Sequence, residues 1–141
     1  MIVYFDTSAL VKRYIAEVDS ERVLSLWANA SVLATSQILY AEMAATLARK
    51  RREQPQSGAL IDQAQQAFRD DWEGLHRVPI DDDVNRRLNA LLVQHPLRGA
   101  DSIHLASALL LRDVLQEEVT FACADLALIA AAKHEGLLAA P

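Results

Sequence analysis

The amino-acid sequence predicts an α/β protein in which helices cover a central parallel β-sheet. Short, continuous apolar runs alternate along the chain with longer segments whose apolar residues recur at helical spacing. Strands that are separated by helices pair in parallel through crossover connections, and the helices then cover the faces of the sheet. A chain of 141 residues favours one domain, which we expect to span residues 1–141.

The first half of the chain begins with "IVYF", a run that is short, continuous and rich in residues that favour strands. Ser20 is a suitable N-cap for a helix in which Val23 and Trp27 fall on one face. The helix that follows ends in the basic turn "ARKRR". The predicted elements are a strand at 2–5, helices at 9–16 and 21–30, a strand at 31–36 and a helix at 37–53.

The second half opens with "QPQSG" (54–58), the clearest break in the chain. We expect the helices on either side of this break to form a hairpin. Pro79 shortens the strand that follows, and Gly136 marks the end of the last helix. The predicted elements are a helix at 59–75, a strand at 76–80, helices at 81–95 and 100–115, a strand at 119–124 and a helix at 125–137.

The composition restricts the classes of function. Hydrophobic residues make up 52% of the chain, which excludes a disordered or low-complexity protein. The one cysteine, Cys123, is expected to be a buried thiol. Without a predicted membrane span or signal segment, the chain is expected to be a soluble cytoplasmic protein. Because the net charge is −5, a polyanionic partner would need bound cations or a local basic patch.

Four acidic residues occupy positions that are unusual for charges on a solvated surface. Asp6 and Asp125 each follow a predicted strand directly. Glu42 interrupts the apolar face of a helix, and Asp101 lies in the first turn of a helix that is apolar almost all round. Since sites in open parallel sheets form beyond the carboxyl ends of the strands, Asp6 and Asp125 are expected to share one rim. Clustered carboxylates repel one another, so the four acids are a candidate site for one or two hard divalent cations such as Mg²⁺.

Each of these acids also has a simpler interpretation. Asp6, Asp101 and Asp125 are each suited to cap a helix or to complement its dipole. At the edge of its helix, Glu42 would reach water or pair with an arginine. His104 lies on the same side of its helix as Asp101, but a single histidine there is more typical of a packing residue than of a metal ligand.

Other charged groups are less distinctive. The acids at 81–83 open a helix, and dipole complementation accounts for them. Lys12 and Arg13 follow Asp6 by one to two helical turns and are candidates for contacts with phosphates. The sequence contains no phosphate-binding glycine loop, no paired Cys/His zinc spacing and no serine nucleophile elbow.

Four segments of the chain resemble, in order, the PIN domain family, and specifically the VapC-like toxin ribonucleases of bacterial type II toxin–antitoxin modules. The match departs from the commonest pattern in one place, because many relatives have "TFD" or "TxD" where this chain has "CAD" at the fourth acid. The matching segments are "VYFDTSALVKRY" around Asp6, "ILYAEMAATLAR" around Glu42, "RGADSIHLASAL" around Asp101 and "TFACADLALIAAAKHEGL" around Asp125.

The resemblance implies a three-layer α/β/α sandwich and hydrolysis of RNA phosphodiester bonds that depends on Mg²⁺ or Mn²⁺. It implies that the four acids form the catalytic metal site, for one or two ions, and that Thr7 or Ser8 is an assisting hydroxyl beside the first acid. Lys12 and Arg13 become possible contacts for RNA phosphates. The resemblance also implies a cognate antitoxin as protein partner and a homodimer.

Two other functions compete with this interpretation. A phosphatase or phosphotransferase would use Asp6 as its nucleophile, but one common loop of that kind needs a second aspartate two residues later, where Ser8 stands. A catalytically inactive PIN-like module would bind RNA or a protein without cleaving it. The presence of all four acids argues against the inactive module, which stays open as the alternative.

Overall fold

The computed structural model describes residues 1–140, and its centre is one sheet of five parallel strands. The strands are β1 (Ile2–Phe5), β2 (Val32–Ser36), β3 (His76–Val78), β4 (Val119–Ala122) and β5 (Leu138–Ala140). They lie in the order β3-β2-β1-β4-β5. The predicted α/β fold with a central parallel sheet is therefore confirmed.

Seven α-helices connect these strands in the described part of the chain. They are α1 (Thr7–Tyr14), α2 (Ser20–Asn29), α3 (Leu39–Glu53), α4 (Gly58–Trp72), α5 (Asp82–Gln94), α6 (Gly99–Leu115) and α7 (Leu126–His134). A short 3₁₀ turn at Pro55–Ser57 joins α3 to α4, within the break that the sequence predicts. Between residues 1 and 140, none of the helices has both the length and the apolar character needed to cross a membrane.

The helices form one layer on each face of the sheet. In β1, Val3 and Phe5 belong to the core formed with α1 to α4, whereas Ile2 and Tyr4 belong to the core formed with α5 to α7. All four side chains are buried, which is typical of a parallel strand that is covered on both faces. This arrangement confirms the three-layer α/β/α sandwich.

The largest difference from the predicted elements lies near the end of the chain. The last helix ends at His134, and Leu138–Ala140 forms a fifth strand that the sequence pattern did not indicate. Gly136 adopts a φ of 85°, and this left-handed turn ends α7 and redirects the chain. The strand sequence "LAA" has no β-branched residue and no polar alternation, so its only strand signal is its pairing with β4.

The strand order changes direction at β1. The chain moves outward from β1 through β2 to β3, and α5 and α6 then return it to β4, on the other side of β1. In open parallel sheets, ligands bind in the crevice beyond the carboxyl ends of the strands at such a switch point. Here that crevice lies between the segments that start at Asp6 and at Cys123.

Replacement of Gly136 by alanine tests the turn that leads into β5. We expect Gly136→Ala to lower the free energy of unfolding by about 1–2 kcal/mol, because a Cβ disfavours the left-handed conformation. The nearest atom to the added Cβ, Nη1 of Arg112, lies 3.5 Å away, so the loss comes from the backbone and not from a clash.

Gly99→Ala is the matched control for this prediction. A Cβ at Gly99 has no other atom within 4 Å, and the residue lies in the first turn of α6. We expect this variant to be as stable as the wild type or more stable by up to about 1 kcal/mol. Urea unfolding measures both variants, and equal stabilities would contradict the role assigned to the Gly136 turn.

Candidate active site

The carboxylate of Asp6 is buried at the point where β1 passes into α1. Its Oδ1 accepts hydrogen bonds from the Ser8 hydroxyl at 2.7 Å and from the Ala9 backbone N–H at 3.0 Å. This cap explains why α1 begins at Thr7, two residues earlier than the sequence pattern predicts. Burial, which leaves Asp6 only 4% exposed, raises the pKa of this carboxyl group, although attraction to His104 and these hydrogen bonds oppose the shift.

Glu42 lies in the first turn of α3, beside the beginning of α1. Its Oε1 accepts hydrogen bonds from Thr7 Oγ1 at 2.9 Å and from His104 Nε2 at 2.5 Å. Burial alone would raise the pKa of Glu42, but the hydrogen bond and attraction from His104, together with the Thr7 hydroxyl, lower the pKa below its ordinary value. The partner of Glu42 is thus a buried histidine, and not the arginine that the simpler interpretation offered.

His104 links Glu42 to the interior of the fold. The residue is 1% exposed, and its Nδ1 lies 2.9 Å from the hydroxyl of Tyr4 in β1. Burial raises the pKa of Tyr4, so the phenol stays protonated. Because both ring nitrogens of His104 have protein partners, the side chain orients Glu42.

Asp101 lies in the first turn of α6 and pairs with an arginine. Arg98 Nε donates to Asp101 Oδ2 at 3.1 Å. Asp101 is 9% exposed, whereas the Arg98 side chain is 83% exposed. The bond to Asp101 is the main cause of a raised pKa of Arg98, and the charges of Asp125 and Glu42 add to it. One guanidinium is therefore within electrostatic range of three of the four acids.

Cys123 connects the turn after β4 to the turn after β1. The buried thiol donates to Asp6 Oδ2 at 3.3 Å and accepts the backbone N–H of Asp125 at 3.3 Å. The Ser8 hydroxyl oxygen also accepts the backbone N–H of Ala124 at 2.9 Å. Burial is the main cause that raises the pKa of Cys123, and the charge of Asp6 adds to it, so the side chain remains a thiol at neutral pH.

These contacts bring the four predicted acids to one rim of the sheet, beyond the carboxyl ends of β1 and β4. Hydrogen bonds join Glu42 to the residue after Asp6, and a thiol joins Asp6 to the turn that holds Asp125. Arg98 bonds to Asp101 and also attracts Asp125 and Glu42. The rim is open, since no three of the four acids have carboxylate oxygens within 4.8 Å of one another. Their role as metal ligands stays a prediction.

Each of the four acids has one carboxylate oxygen that the protein holds in place. Three of them leave the second oxygen without a hydrogen bond from residues 1–140, namely Oε2 of Glu42, Oδ1 of Asp101 and Oδ2 of Asp125. No buried side-chain nitrogen or oxygen in that range lacks a partner, so these oxygens reach solvent.

The capping interpretation and the metal-site interpretation are compatible at Asp125. Its Oδ1 caps α7 by accepting the Leu128 backbone N–H at 2.9 Å, and its Oδ2 remains available as a ligand. Asp6 divides its oxygens in a similar way, because Oδ1 caps α1 while Oδ2 faces only the thiol of Cys123.

The two predicted phosphate contacts, Lys12 and Arg13, are engaged within the protein. Lys12 Nζ donates to the backbone oxygen of Val18 at 2.8 Å. Arg13 Nε donates to Asp71 at 2.9 Å, and its guanidinium lies 3.9 Å from the centre of the Trp27 ring system. A contact with phosphate stays a prediction for both side chains, and it would require them to leave these partners.

Two features of the structure contribute no side chain to the rim. Asp81 caps α5 by accepting the Asp83 backbone N–H at 3.0 Å, whereas the sequence pattern predicts only that this acid complements the helix dipole. A groove of about 880 Å³ runs between the end of α1 and α4, and none of the four acids lines it. The four acids therefore lie outside this groove.

Three further residues at the rim were not predicted to belong to a site. Arg98 lies three residues before Asp101, and this helical spacing was an available signal for an ion pair. Cys123 directly follows β4, as Asp6 directly follows β1. Parallel pairing of the two strands would therefore place these residues side by side, which was a second available signal. The pairing of His104 with Glu42 joins residues 62 apart in sequence, and no local pattern predicts it.

Comparison with known proteins places the chain in a family. A family model described as PIN domain matches residues 3–115. Ribonuclease VapC45 of Mycobacterium tuberculosis (strain CDC 1551 / Oshkosh) and Ribonuclease VapC49 of Mycobacterium tuberculosis (strain ATCC 25618 / H37Rv) are each 34% identical to the chain over 112 residues. Each alignment covers 79% of this chain and 78% of the relative. With these matches and this sheet topology, the chain belongs to the PIN domain family.

Proposed function

We propose that this protein is an endoribonuclease that depends on Mg²⁺ or Mn²⁺ and that it is the toxin of a type II toxin–antitoxin pair. The observation that carries the proposal is the rim of four acids at the switch point of the sheet, where three carboxylate oxygens accept no hydrogen bond from residues 1–140. Membership in the PIN domain family and similarity to two proteins named as ribonucleases support RNA as the substrate.

The donor set of the rim fits a hard divalent cation. Carboxylate oxygens are the ligands that Mg²⁺ and Mn²⁺ prefer. Mg²⁺ usually binds through one or two carboxylates and keeps several waters or substrate phosphates as its other ligands. Such binding does not require three carboxylates in contact, and no three of the four acids have oxygens within 4.8 Å of one another. The residues that would hold one or two ions are Asp6, Glu42, Asp101 and Asp125.

A cation bound there would lower the pKa of a coordinated water and would provide positive charge to stabilise the phosphate of the substrate. The residues of the chain orient the acids and do not attack the RNA. Ser8 holds Asp6, while Thr7 and His104 hold Glu42. Thr7 and Ser8 are thus positioning residues, and in this way either could act as the assisting hydroxyl that the family resemblance implies.

Arg98 is the cation best placed to contact an RNA phosphate. Only its Nε is bonded, to Asp101, and its terminal nitrogens form no hydrogen bond with residues 1–140. A guanidinium presents paired N–H donors that match phosphate oxygens. Because the net charge of the chain is −5, local cations of this kind are needed for RNA to approach. Lys12 and Arg13 are secondary candidates.

The proposal includes protein partners. The ribonuclease would be held inactive by a cognate antitoxin and would form a homodimer. We place the protein in the cytoplasm, where RNA and antitoxin meet, as one PIN domain over residues 1–141.

Asp6→Asn tests the rim as the catalytic centre. We expect this variant, and Asp101→Asn, to cleave RNA more than about 100-fold more slowly than the wild type, since losing a residue that only supports a metal ligand already reduces activity about 10–100-fold. Gel analysis of single-stranded RNA in Mn²⁺ or Mg²⁺ measures the rates. Cleavage products should carry 5′-phosphates, and EDTA should stop the reaction.

Asp81→Asn is the matched control for that experiment. Asp81 also precedes a helix that it caps, and asparagine caps equally well, so we expect wild-type cleavage. Full activity in Asp6→Asn would contradict the proposal. A folded wild-type protein that binds RNA but cleaves it in neither metal would favour the inactive module.

The buried charge of Asp6 predicts a pH-dependent stability of the metal-free protein. Because its pKa is raised in the fold, the contribution of Asp6 to stability is present below its ordinary pKa of about 3.9 and is lost as the pH rises through the raised value. In EDTA at pH 7 we expect Asp6→Asn to melt at a higher temperature than the wild type, by an amount that shrinks as the pH falls towards about 4.

The control for the melting experiment is Glu117→Gln, which alters an exposed acid after α6. Its change in stability should stay within about 0.5 kcal/mol at every pH. Mn²⁺ should raise the melting temperature of the wild type and have a smaller effect on Asp6→Asn. An equal response of the two proteins to Mn²⁺ would count against Asp6 as a ligand.

Expression in a bacterial host tests the toxin assignment separately from the chemistry. We expect induction of the wild-type chain to arrest growth and induction of Asp6→Asn to leave growth unchanged, because arrest requires cleavage. Co-expression of a small DNA-binding protein encoded directly upstream should restore growth. Equal growth of cells that express either form to the same level would refute the toxin role, even if the purified protein cleaves RNA.

A further inference from the structure

A second group of metal-binding side chains lies at the end of α7 that is remote from Asp125. His95, His134 and Glu135 each offer one ligand atom, and these three atoms all lie within 4.8 Å of one another. It is the one such trio among the histidine, cysteine and acidic side chains of residues 1–140. We propose that this trio, which shares no residue with the acidic rim, is a binding site for a transition-metal cation of the Zn²⁺ type.

Helix ends place the three side chains. His95 follows the last residue of α5, where its backbone N–H still bonds to Leu91 at 2.8 Å. His134 is the last residue of α7, and Glu135 caps that helix through a backbone bond to Ala131 at 3.0 Å. The residue that follows is Gly136, whose left-handed turn ends α7.

The ligand atoms face one another across the gap between α5 and α7. His95 Nε2 lies 2.8 Å from Glu135 Oε1, and His134 Nδ1 lies 3.9 Å from the same oxygen. The two imidazole rings are 5.2 Å apart at their centroids and inclined by 74°. Gln94 Nε2 is 3.4 Å from His134 Nδ1, so a polar amide borders the cluster.

The spacing suits a tetrahedral ion after small side-chain rotations. Zn²⁺ binds imidazole nitrogen and carboxylate oxygen at about 2.0–2.2 Å, which places neighbouring ligand atoms roughly 3.3–3.5 Å apart. The distances of 2.8 Å and 3.9 Å bracket that value. His95 is 8% exposed and the His134 side chain is 60% exposed. One side of the site is therefore fixed, and the other is open to a water or to a further ligand.

The surrounding electrostatics also favour a cation. The C-terminal ends of α5 and α7 both point at the trio, and each carries a partial negative charge of about one half. Two positive residues are near: Lys133 precedes His134 in the last turn of α7, and Arg112 Nη1 donates to the backbone oxygen of Glu135 at 2.8 Å. That bond uses the backbone carbonyl and leaves the Glu135 carboxylate to face the histidines.

The ligand types of this site differ from those of the rim, and so do the metal ions that they favour. Two imidazoles and one carboxylate suit Zn²⁺, Co²⁺ or Ni²⁺, whereas an all-carboxylate rim suits Mg²⁺ and Mn²⁺. A metal held here would join the end of α5 to the end of α7, which are 40 residues apart in sequence. It would also fix the start of the short connection, 95–98, that leads to Arg98.

Titration with Zn²⁺ in excess Mg²⁺ tests the proposal, because excess Mg²⁺ competes with Zn²⁺ for carboxylates and competes poorly for imidazole. We expect calorimetry to give one Zn²⁺ per wild-type chain. Binding should weaken about tenfold or more in His134→Ala and in Glu135→Gln. His134 is exposed, so its removal leaves the fold intact. Co²⁺ should give the visible absorption of a tetrahedral complex with the wild type and not with His134→Ala.

His76→Ala is the matched control, since His76 is an exposed histidine in β3, outside the trio. This variant should bind Zn²⁺ as the wild type does. Absence of saturable Zn²⁺ binding in the wild type would overturn the proposal. Equal affinities of the wild type and His134→Ala would also overturn it. Neither result depends on whether the protein cleaves RNA.

Discussion

The acidic rim depends on helix N-termini, because each of the four acids lies at the beginning of a helix. Asp6 and Asp125 cap α1 and α7, while Glu42 and Asp101 lie in the first turns of α3 and α6. A helix N-terminus carries a partial positive charge and contributes about 0.3–1 kcal/mol to a nearby anion at an exposed site. Four such ends converge at one edge of the sheet, so the backbone itself offsets part of the repulsion among the carboxylates.

The topology of the sheet supplies this convergence for α1, α3 and α7, which each follow a strand, whereas α6 follows α5. In a parallel sheet with helical crossovers, every strand ends at the same edge and the next helix begins there. Since the strand order changes direction between β1 and β4, the helices that follow these two strands diverge and leave a crevice between their N-termini. Asp6 directly follows β1, a strand covered on both faces, and burial there disfavours the charged form of its carboxylate. Asp6 therefore accounts for most of the stability that the arrangement loses. Stability lost at that position is what a bound cation would restore.

The sequence predicts the sheet, its layers and the four acids because each of these features depends on a pattern within a few neighbouring residues. Glu42 is visible as a charge on an apolar helix face, and Asp101 as an acid before an apolar helix. The strand β5 could not be predicted, because "LAA" has no intrinsic strand signal and is defined by its partner β4.

The groups that orient the acids were equally hidden in the sequence. His104 and Cys123 each resemble ordinary core residues, and their contacts with Glu42 and Asp6 join segments 62 and 117 residues apart. The sequence therefore predicts which charges are unusual. It does not predict which oxygen of each carboxylate is fixed and which is free, since that depends on partners brought in by the fold.

The two basic partners of the rim differ in a way that matters for metal binding. His104 is almost completely buried and bonded at both nitrogens, so it holds Glu42 in one orientation and does not leave. Arg98 lies in solvent with its side chain 83% exposed, whereas Asp101 is buried, so the pair joins one solvated group to one buried group. Arg98 attracts three acids while no cation is bound, and its guanidinium can return to solvent without leaving a buried charge of its own. A buried arginine at that position would have closed the rim, because its departure would leave an unpaired charge in the protein interior. The exposure of Arg98 therefore leaves the three acids that it attracts, Glu42, Asp101 and Asp125, open to solvent.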